Sequence, residues 1–255
     1  MVGIVGAGNV GQALAWRLHA LGFSVALLKR PYQVLEAPFA VASSWEGFPW
    51  PALETVFLCV RDVQLPTVAA QISPRLTSKV PVFHTAGSVE LAVLEPFFGS
   101  QAGVVYPLQS FSVGRPVDWG QFFVFWEGTS AAQTWAETLT QDASKVRFAD
   151  SKTRLRLHVG AVFTANFVNA LFHMAETILP APFSREVYLP LTKEVLSKLR
   201  VLSPEKAQTG PARRGDQETL AKHLALLQEV APPLAPLYQH LSQYIQSYMA
   251  QSSVQ

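Results

Sequence analysis

Three glycines near the start of the chain have the spacing of a dinucleotide-binding turn. Gly6, Gly8 and Gly11 follow an apolar run that is typical of a strand and stand where a helical pattern begins. In such a turn the first glycine permits a tight bend, the second lets a pyrophosphate approach the backbone, and the third allows close packing of helix on strand. The phosphates would meet the free N–H groups of the helix N-terminus. The candidate cofactor residues in this segment are Gly6, Ala7, Gly8, Asn9, Val10 and Gly11.

The end of the second apolar run, VALL, indicates which dinucleotide would bind. An NAD site normally carries an acid there, which accepts a hydrogen bond from the ribose 2′-hydroxyl. Here Lys29 and Arg30 follow the run instead. Two cations would pair with the 2′-phosphate of NADP. The pattern therefore predicts NADP, and the alternative is a strand end whose two cations are solvated.

Two further strand ends are expected at the same crevice, because ligands of such sheets bind beyond the carboxyl ends of the strands. Val60 and Arg61 close one run and are candidate cofactor contacts. The next residue, Asp62, is better explained as the cap of a following helix. The other run ends in His84, followed by Thr-Ala-Gly. His84 could orient cofactor or substrate, or it could simply hydrogen-bond to a loop backbone.

A polar stripe crosses an otherwise apolar helical segment in the second half of the chain. On an ideal α-helix its members fall within a wedge of roughly 80°. Unpaired buried amides and imidazoles cost about 1 to 3 kcal/mol each, so the stripe should face a ligand cleft or a hydrogen-bonding network at a dimer interface. The cleft hypothesis makes His158 and Asn166 candidate catalytic residues. The stripe consists of His158, Val162, Asn166, Asn169 and His173.

A second polar constellation is the segment TGPARRGD at 209–216. Its glycines and proline shape a loop that carries Arg213 and Arg214 to the start of a helix, where they could bind a carboxylate or phosphate of the substrate. The alternative is a surface turn in which Asp216 caps the helix and the arginines are solvated.

The elements that must position these residues alternate through the first half of the chain. Short β-rich runs and helical patterns follow one another to about residue 150, which is the signature of a parallel sheet covered by helices on both faces. Beyond Asp150 only segments with helical period follow, at about 153–179, 185–200, 216–230 and 233–250. The sequence thus predicts an α/β fold: a doubly wound Rossmann domain at 1–150, followed by an all-α substrate and dimerisation domain at 151–255.

Composition restricts the possible partners and compartments. The 255 residues are 49% hydrophobic and carry a formal net charge of only +2, with no dense basic run, so a nucleic-acid or membrane-surface footprint is not expected. A small-molecule substrate is expected instead, and no metal site is predicted. Cys59 is the single cysteine and falls in an apolar run, which favours a reducing compartment and an inert thiol. The N-terminus lacks a basic leader, and Val159–Ala175 is interrupted by polar residues, so we expect a cytoplasmic protein and a buried helix there.

These motifs occur in one order that resembles the Rossmann-like proteins carrying a DUF2520 domain. The resemblance covers nearly the whole chain. It implies an NADP oxidoreductase whose N-terminal domain is similar to that of the coenzyme F420-dependent NADP reductases. It also implies a two-domain plan similar to pyrroline-5-carboxylate reductase and the β-hydroxyacid dehydrogenases, in which the helical domains dimerise and complete the active site. The motifs are GAGNVG at 6–11, Lys29-Arg30, HTAG at 84–87, YPLQSF at 106–111, LHVGAVFTANFVNAL at 157–171 and TGPARRGD at 209–216.

One residue departs from this family. The family commonly has His where this chain has Tyr106. A phenol with an ordinary pKa near 10 can donate a proton but is a poor base at neutral pH. The catalytic lysine of the β-hydroxyacid dehydrogenases is also absent, and His158 lies in its general region.

Together the residues predict an NADP(H)-dependent oxidoreductase. It would transfer hydride to or from a small, anionic carbonyl, alcohol or imine bound between the domains. In this hypothesis His158 is the general acid or base, Asn166 orients the substrate, Arg213 or Arg214 holds its anionic group, and Tyr106 and His84 lie on the opposite wall. The alternative is an NADP-binding sensor or regulatory protein without turnover. We also expect a homodimer through the C-terminal helices.

Overall fold

The computed structural model describes residues 1–252 and contains one eight-stranded sheet. The strand order is β3-β2-β1-β4-β5-β6-β7-β8, and every neighbouring pair is parallel except β6 with β7. This is the doubly wound Rossmann-like α/β fold that the sequence predicts. The strands are β1 (Val2–Val5), β2 (Val25–Leu28), β3 (Ala40–Ala42), β4 (Thr55–Leu58), β5 (Val82–His84), β6 (Ala102–Pro107), β7 (Val124–Gly128) and β8 (Val146–Phe148).

The central strands lie inside the sheet and are buried along their whole length. All residues of β1, β2, β4, β5 and β6 are buried, because helices and loops cover both faces of the sheet. Two large apolar clusters flank the sheet, one built around Leu14, Leu18 and Phe83 and the other around Leu58, Leu65 and Ile72. This packing fixes the carboxyl ends of the strands, where the candidate residues stand.

Eleven α-helices accompany the sheet within residues 1–252, and a π-helical segment, Val162–Asn166, separates two of them. Asp150, Ser184 and Asp216 each cap a helical segment by accepting a hydrogen bond from a backbone N–H two or three residues further on. The helices are α1 (Asn9–Ala20), α2 (Leu65–Ile72), α3 (Glu95–Phe98), α4 (Ser130–Thr140), α5 (Ser151–Ala161), α6 (Phe167–Thr177), α7 (Leu189–Lys198), α8 (Pro204–Ala207), α9 (Pro211–Arg214), α10 (Gln217–Val230) and α11 (Ala235–Ser252).

Several local expectations need correction. Asp62 does not cap a helix with its carboxylate, which instead accepts a hydrogen bond from the Ser88 hydroxyl. The helix predicted at 185–200 is shorter than predicted, because α7 begins at Leu189 and so places Pro190 in its first turn. The short edge strand β3 was not predicted from the sequence. Its residues are partly exposed and form a strand by pairing with β2.

The chain divides into two compact units, Met1–Ala165 and a second that begins at Asn166. The first contains the sheet, α5 and most of the π-helical segment. The second is helical. The functional assignment of residues 1–150 to NADP binding and 151–255 to substrate binding and dimerisation stays a prediction.

The apolar helix of the second half is not buried. Among residues 1–252, one helical stretch, Ser151–Thr177, is long and apolar enough to cross a membrane by length and composition alone, and none of its most apolar window is buried. The expected buried helix is therefore wrong for the single chain.

Candidate active site

The three glycines of the turn after β1 meet three different steric demands. Gly6 has φ +108°, and a Cβ there would lie 2.5 Å from the carbonyl oxygen of Cys59. Gly11 lies so close to the turn that its Cβ would stand 1.9 Å from the carbonyl oxygen of Gly6. At Gly8 a Cβ would meet nothing within 4 Å. The backbone of Gly8 thus borders open space at the N-terminus of α1, as a bound pyrophosphate requires.

Side-chain amides hold this turn in place. Gln12 Nε2 and Gln33 Nε2 donate to the carbonyl oxygen of Ala7 at 2.9 and 2.6 Å. Asn9 Nδ2 donates to the carbonyl oxygen of Phe111 at 3.0 Å. No side chain caps the start of α1, and its first turn contains no acid. The N-terminal N–H groups and the positive end of the helix dipole therefore remain available to an anion.

A cavity of about 790 Å³ opens above this turn, and we call it the cofactor cavity. Its walls come from the ends of β1, β2, β3 and β4 and the start of α2. All ten residues predicted to bind the cofactor line it except Val10 and Gly11. Sequence reasoning missed other lining residues, notably Tyr32, Gln33, Ser43, Ser44 and Gln64.

The cationic end of the cofactor cavity lies where β2 and β3 end side by side. Leu28 pairs with Ala42, and Lys29 N donates to the carbonyl oxygen of Ala42 at 2.9 Å. Lys29 and Ser43 therefore leave the sheet next to each other. The guanidinium of Arg30 lies 5.6 Å from the centre of the Tyr32 ring and donates to its hydroxyl at 2.5 Å. Two cations and neighbouring hydroxyls form the donor set that a phosphate monoester requires.

Cys59, which follows β4, and His84, the last residue of β5, are uncharged groups. Burial raises the pKa of the Cys59 thiol to about 12, so the thiol stays protonated. Burial, and next the charge of Arg154, lower the pKa of His84 to about 3. Its Nδ1 accepts a hydrogen bond from Ala86 N at 3.2 Å. This geometry suits a residue that shapes the turn better than one that transfers protons.

Tyr106 and His158 come together although 52 residues separate them in the sequence. The Tyr106 hydroxyl lies 3.0 Å from His158 Nδ1, and both side chains pack against Gly87, where a Cβ would lie within 2.8 Å of either ring. Burial raises the pKa of Tyr106 to about 12, against the opposing charge of Arg154. A phenol that keeps its proton can donate to Nδ1, and in that arrangement the proton of a neutral imidazole is on Nε2.

A buried ion pair holds the helix that carries His158. Arg154 is only 1% exposed, donates to Glu127 of β7 and to the carbonyl oxygen of Val89, and lies one helical turn before His158. Ser151 also donates to Glu127, at 2.9 Å. Sequence reasoning missed this cluster, since an arginine in a helical pattern is normally expected on the surface.

The predicted polar stripe does not persist along the helix. The π-helical segment widens the turn between His158 and Asn166, so residues beyond it no longer keep the α-helical phase that relates Asn169 and His173 to His158. Asn166, Asn169 and His173 are exposed in the second unit. Of the stripe, only His158 contacts Tyr106, and the orienting role of Asn166 stays a prediction.

The two arginines before α10 contact residues that are close to them in the sequence. Arg213 Nη1 donates to the carbonyl oxygen of Gln208, and Arg214 Nη2 lies 3.8 Å from Asp216 Oδ2. The Asp216 carboxylate also caps α10 through Thr219 N at 3.1 Å. Both guanidiniums are exposed, and their binding of a substrate anion stays a prediction. Among residues 1–252, no cluster of three His, Cys, Asp or Glu side chains is placed to hold a metal.

Comparisons with known proteins give the family. The profile described as a domain of unknown function, DUF2520, matches residues 122–245. A crystal structure from Bacteroides fragilis, described as a "putative NADP oxidoreductase", is 30% identical, with 96% of this chain and 97% of that chain covered and a TM-score of 0.85. The chain belongs to the DUF2520 family. No curated protein sequence matches it.

More distant structures share the fold of this DUF2520 protein. The Plasmodium falciparum pyrroline carboxylate reductase with NADP bound is 15% identical, with 96% and 98% of the two chains covered and a TM-score of 0.58. The Aspergillus terreus reductive aminase in complex with NADPH and ethyl levulinate is 14% identical, with 96% and 93% covered and a TM-score of 0.67.

Proposed function

We propose that this DUF2520 protein is an NADP(H)-dependent oxidoreductase that transfers hydride to or from a small, anionic carbonyl, alcohol or imine. The observation that carries the proposal is the open backbone of Gly8 beside a cavity whose far end holds Lys29 and Arg30. The similar structures agree with this cofactor, since the Bacteroides protein is described as an NADP oxidoreductase and two of the others contain NADP or NADPH.

When bound, NADP(H) supplies or accepts the hydride, and the chain must move the proton that balances it. His158 Nε2 is the atom we assign to this task, because the Tyr106 hydroxyl lies 3.0 Å from Nδ1 and, as the donor to it, would leave the ring proton on Nε2. Tyr106 is then a positioning residue that takes the place of the His common in the family. Arg154 holds α5 in place through its hydrogen bond to Glu127 of β7.

A turnover screen tests the proposal. NADPH oxidation is followed with panels of 2-oxo acids, β-keto acids and ketone–amine mixtures, and NADPH binding is titrated separately. His158→Gln should lower kcat about 10²- to 10⁴-fold with the NADPH Kd unchanged. Tyr106→Phe should shift the pH profile of kcat, and Tyr106→His should restore it. His240→Gln is the matched control, as this exposed histidine should leave kcat unchanged.

The outcomes separate the alternatives. Tight NADPH binding with no turnover on any panel would favour an NADP-binding sensor or regulatory protein. Absence of NADPH binding would overturn both hypotheses. The same screen, run on Asn166, Arg213 and Arg214 variants, tests the roles predicted for these residues.

We also propose that the protein is a homodimer formed through its helical part. Helix α7 exposes large apolar side chains, including Leu191 at 63% and Leu196 at 60%. Single exposed apolar residues are ordinary, but a run of them along one helix marks an interaction surface. The polar residues Asn166, Asn169 and His173 in the apolar stretch favour a protein partner over lipid. We propose separately that the protein is cytoplasmic.

A further inference from the structure

A second cavity, of about 510 Å³, opens between α1 and the loop at residues 112–119. The helix contributes one continuous stripe, since its lining residues are spaced by three and four. A cavity of this size is within the range of small-molecule sites. We call it the α1–loop cavity. The helix residues that line it are Asn9, Gln12, Ala13, Trp16, Arg17 and Ala20.

The loop that forms the other wall is built into a defined shape. A backbone bridge joins Ser112 to Arg115, and Gly114 turns the chain between them with φ +74°. At the base of the loop, Phe111 packs on the buried ring of Trp119 at a centroid distance of 5.6 Å. The hydrogen bond from Asn9 to Phe111 ties this base to the start of α1. The loop is therefore held in shape by its own backbone and aromatic contacts.

The lining combines apolar side chains with two arginines. Trp16 is 47% exposed and Val113 59% exposed, so both present apolar surface that the core does not use. The Arg17 guanidinium donates only its Nε, to the carbonyl oxygen of Leu139 at 2.8 Å. The Arg115 guanidinium makes no hydrogen bond or ion pair with any residue in 1–252. None of the lining residues is acidic.

We propose that the α1–loop cavity binds a small ligand with a planar apolar body and one carboxylate. The exposed parts of the Trp16 ring and the Val113 side chain suit the body, and the free N–H groups of Arg17 and Arg115 suit the carboxylate. This site lies apart from Tyr106 and His158, which do not line it. It adjoins the cofactor cavity, because Asn9, Gln12 and Val113 line both. The inference does not depend on the proposed reaction.

Fluorine NMR of 4-fluorophenylacetate, titrated with the full-length protein, tests the site. We expect saturable binding with a Kd of about 1 mM or lower, as for a small fragment. Arg115→Gln should weaken it roughly tenfold, the loss of one charge-assisted contact. The uncharged 4-fluorophenylacetamide should bind the wild type about as weakly as 4-fluorophenylacetate binds Arg115→Gln. Arg200→Gln, which removes an exposed arginine of the helical unit, is the matched control and should change nothing.

A second variant blocks the cavity without changing charge. Ala20→Phe, at the exposed end of the stripe, should abolish probe binding while thermal unfolding and NADPH affinity remain those of the wild type. The proposal is overturned if the probe does not saturate, if Arg115→Gln and Ala20→Phe bind it as the wild type does, or if the amide binds equally well. Since NADPH is titrated separately on the same proteins, failure here leaves the cofactor assignment standing.

Discussion

Replacing Gly8 by alanine should remove cofactor binding and leave the fold intact. The backbone of Gly8 has φ −77° and ψ −169°, which alanine adopts freely, and the added methyl group would meet no protein atom within 4 Å. That methyl group would instead occupy the space left for the pyrophosphate. Losing one or two charge-assisted contacts at about 1.5 to 3 kcal/mol each should weaken NADPH at least tenfold and up to several hundredfold.

The effect on stability should be small because two terms oppose each other. Alanine is a poorer N-cap than glycine, which costs up to about 1 kcal/mol, but it also restricts the unfolded chain, which stabilises by about 0.4 to 1 kcal/mol. The net change should stay within about 1 kcal/mol. Gly11→Ala is the matched contrast. Its methyl group would stand 1.9 Å from the carbonyl oxygen of Gly6, so helix and turn must separate, at a cost above about 3 kcal/mol.

Two measurements on each variant make the comparison. Fluorescence titration with NADPH gives the affinity, and urea unfolding gives the free energy of unfolding. We expect Gly8→Ala to lose affinity alone and Gly11→Ala to lose stability. The reasoning is refuted if Gly8→Ala binds NADPH within threefold of the wild type, or if its loss of binding is matched by a loss of stability as large as that of Gly11→Ala.

Three further results are expected. Arg30→Ala should weaken NADPH about ten- to a hundredfold and barely change NADH, and equal calorimetric affinities of the wild type for the two cofactors would rule out the 2′-phosphate assignment. Light scattering without detergent should give about twice the chain mass of 28.0 kDa, so a value near one chain at micromolar concentration would contradict the homodimer. Because folding lowers the pKa of His84 from 6.5 to about 3, its contribution to stability is complete above pH 6.5 and is lost as pH falls. Between pH 6.5 and 4.5 urea unfolding should show a loss of about 1 kcal/mol per pH unit that is absent from His84→Asn; equal slopes would refute this.

The nucleotide end of the site could be predicted because its determinants are local. Gly6, Gly8 and Gly11 act through the conformation and spacing of one strand, turn and helix, and that spacing is visible in the sequence. Lys29 and Arg30 follow an uninterrupted apolar strand, whose parallel neighbours must end at the same edge of the sheet. The α/β class followed from the same alternation of elements.

The rest of the site was decided by tertiary packing between distant segments. Tyr106 meets His158 only because β6 and α5 pack together, and nothing in either segment encodes that distance. Arg154 of α5 is buried because Glu127, on strand β7, neutralises it. The strand β3, and with it Ser43, exists through pairing with β2, as its three residues carry no periodic signal of their own.

The polar stripe shows most directly how far the sequence alone determines this protein. Helical periodicity correctly identified an apolar helix that carries His158, since the order of the residues fixes which side chains follow one another at 100° steps around a helix. The π-helical turn at 162–166 then changed the phase for every residue beyond it. A π-helical turn contains one more residue than an α-helical turn, because its hydrogen bonds run from i to i+5 and not from i to i+4. Only the packing around the turn decides which of the two patterns forms.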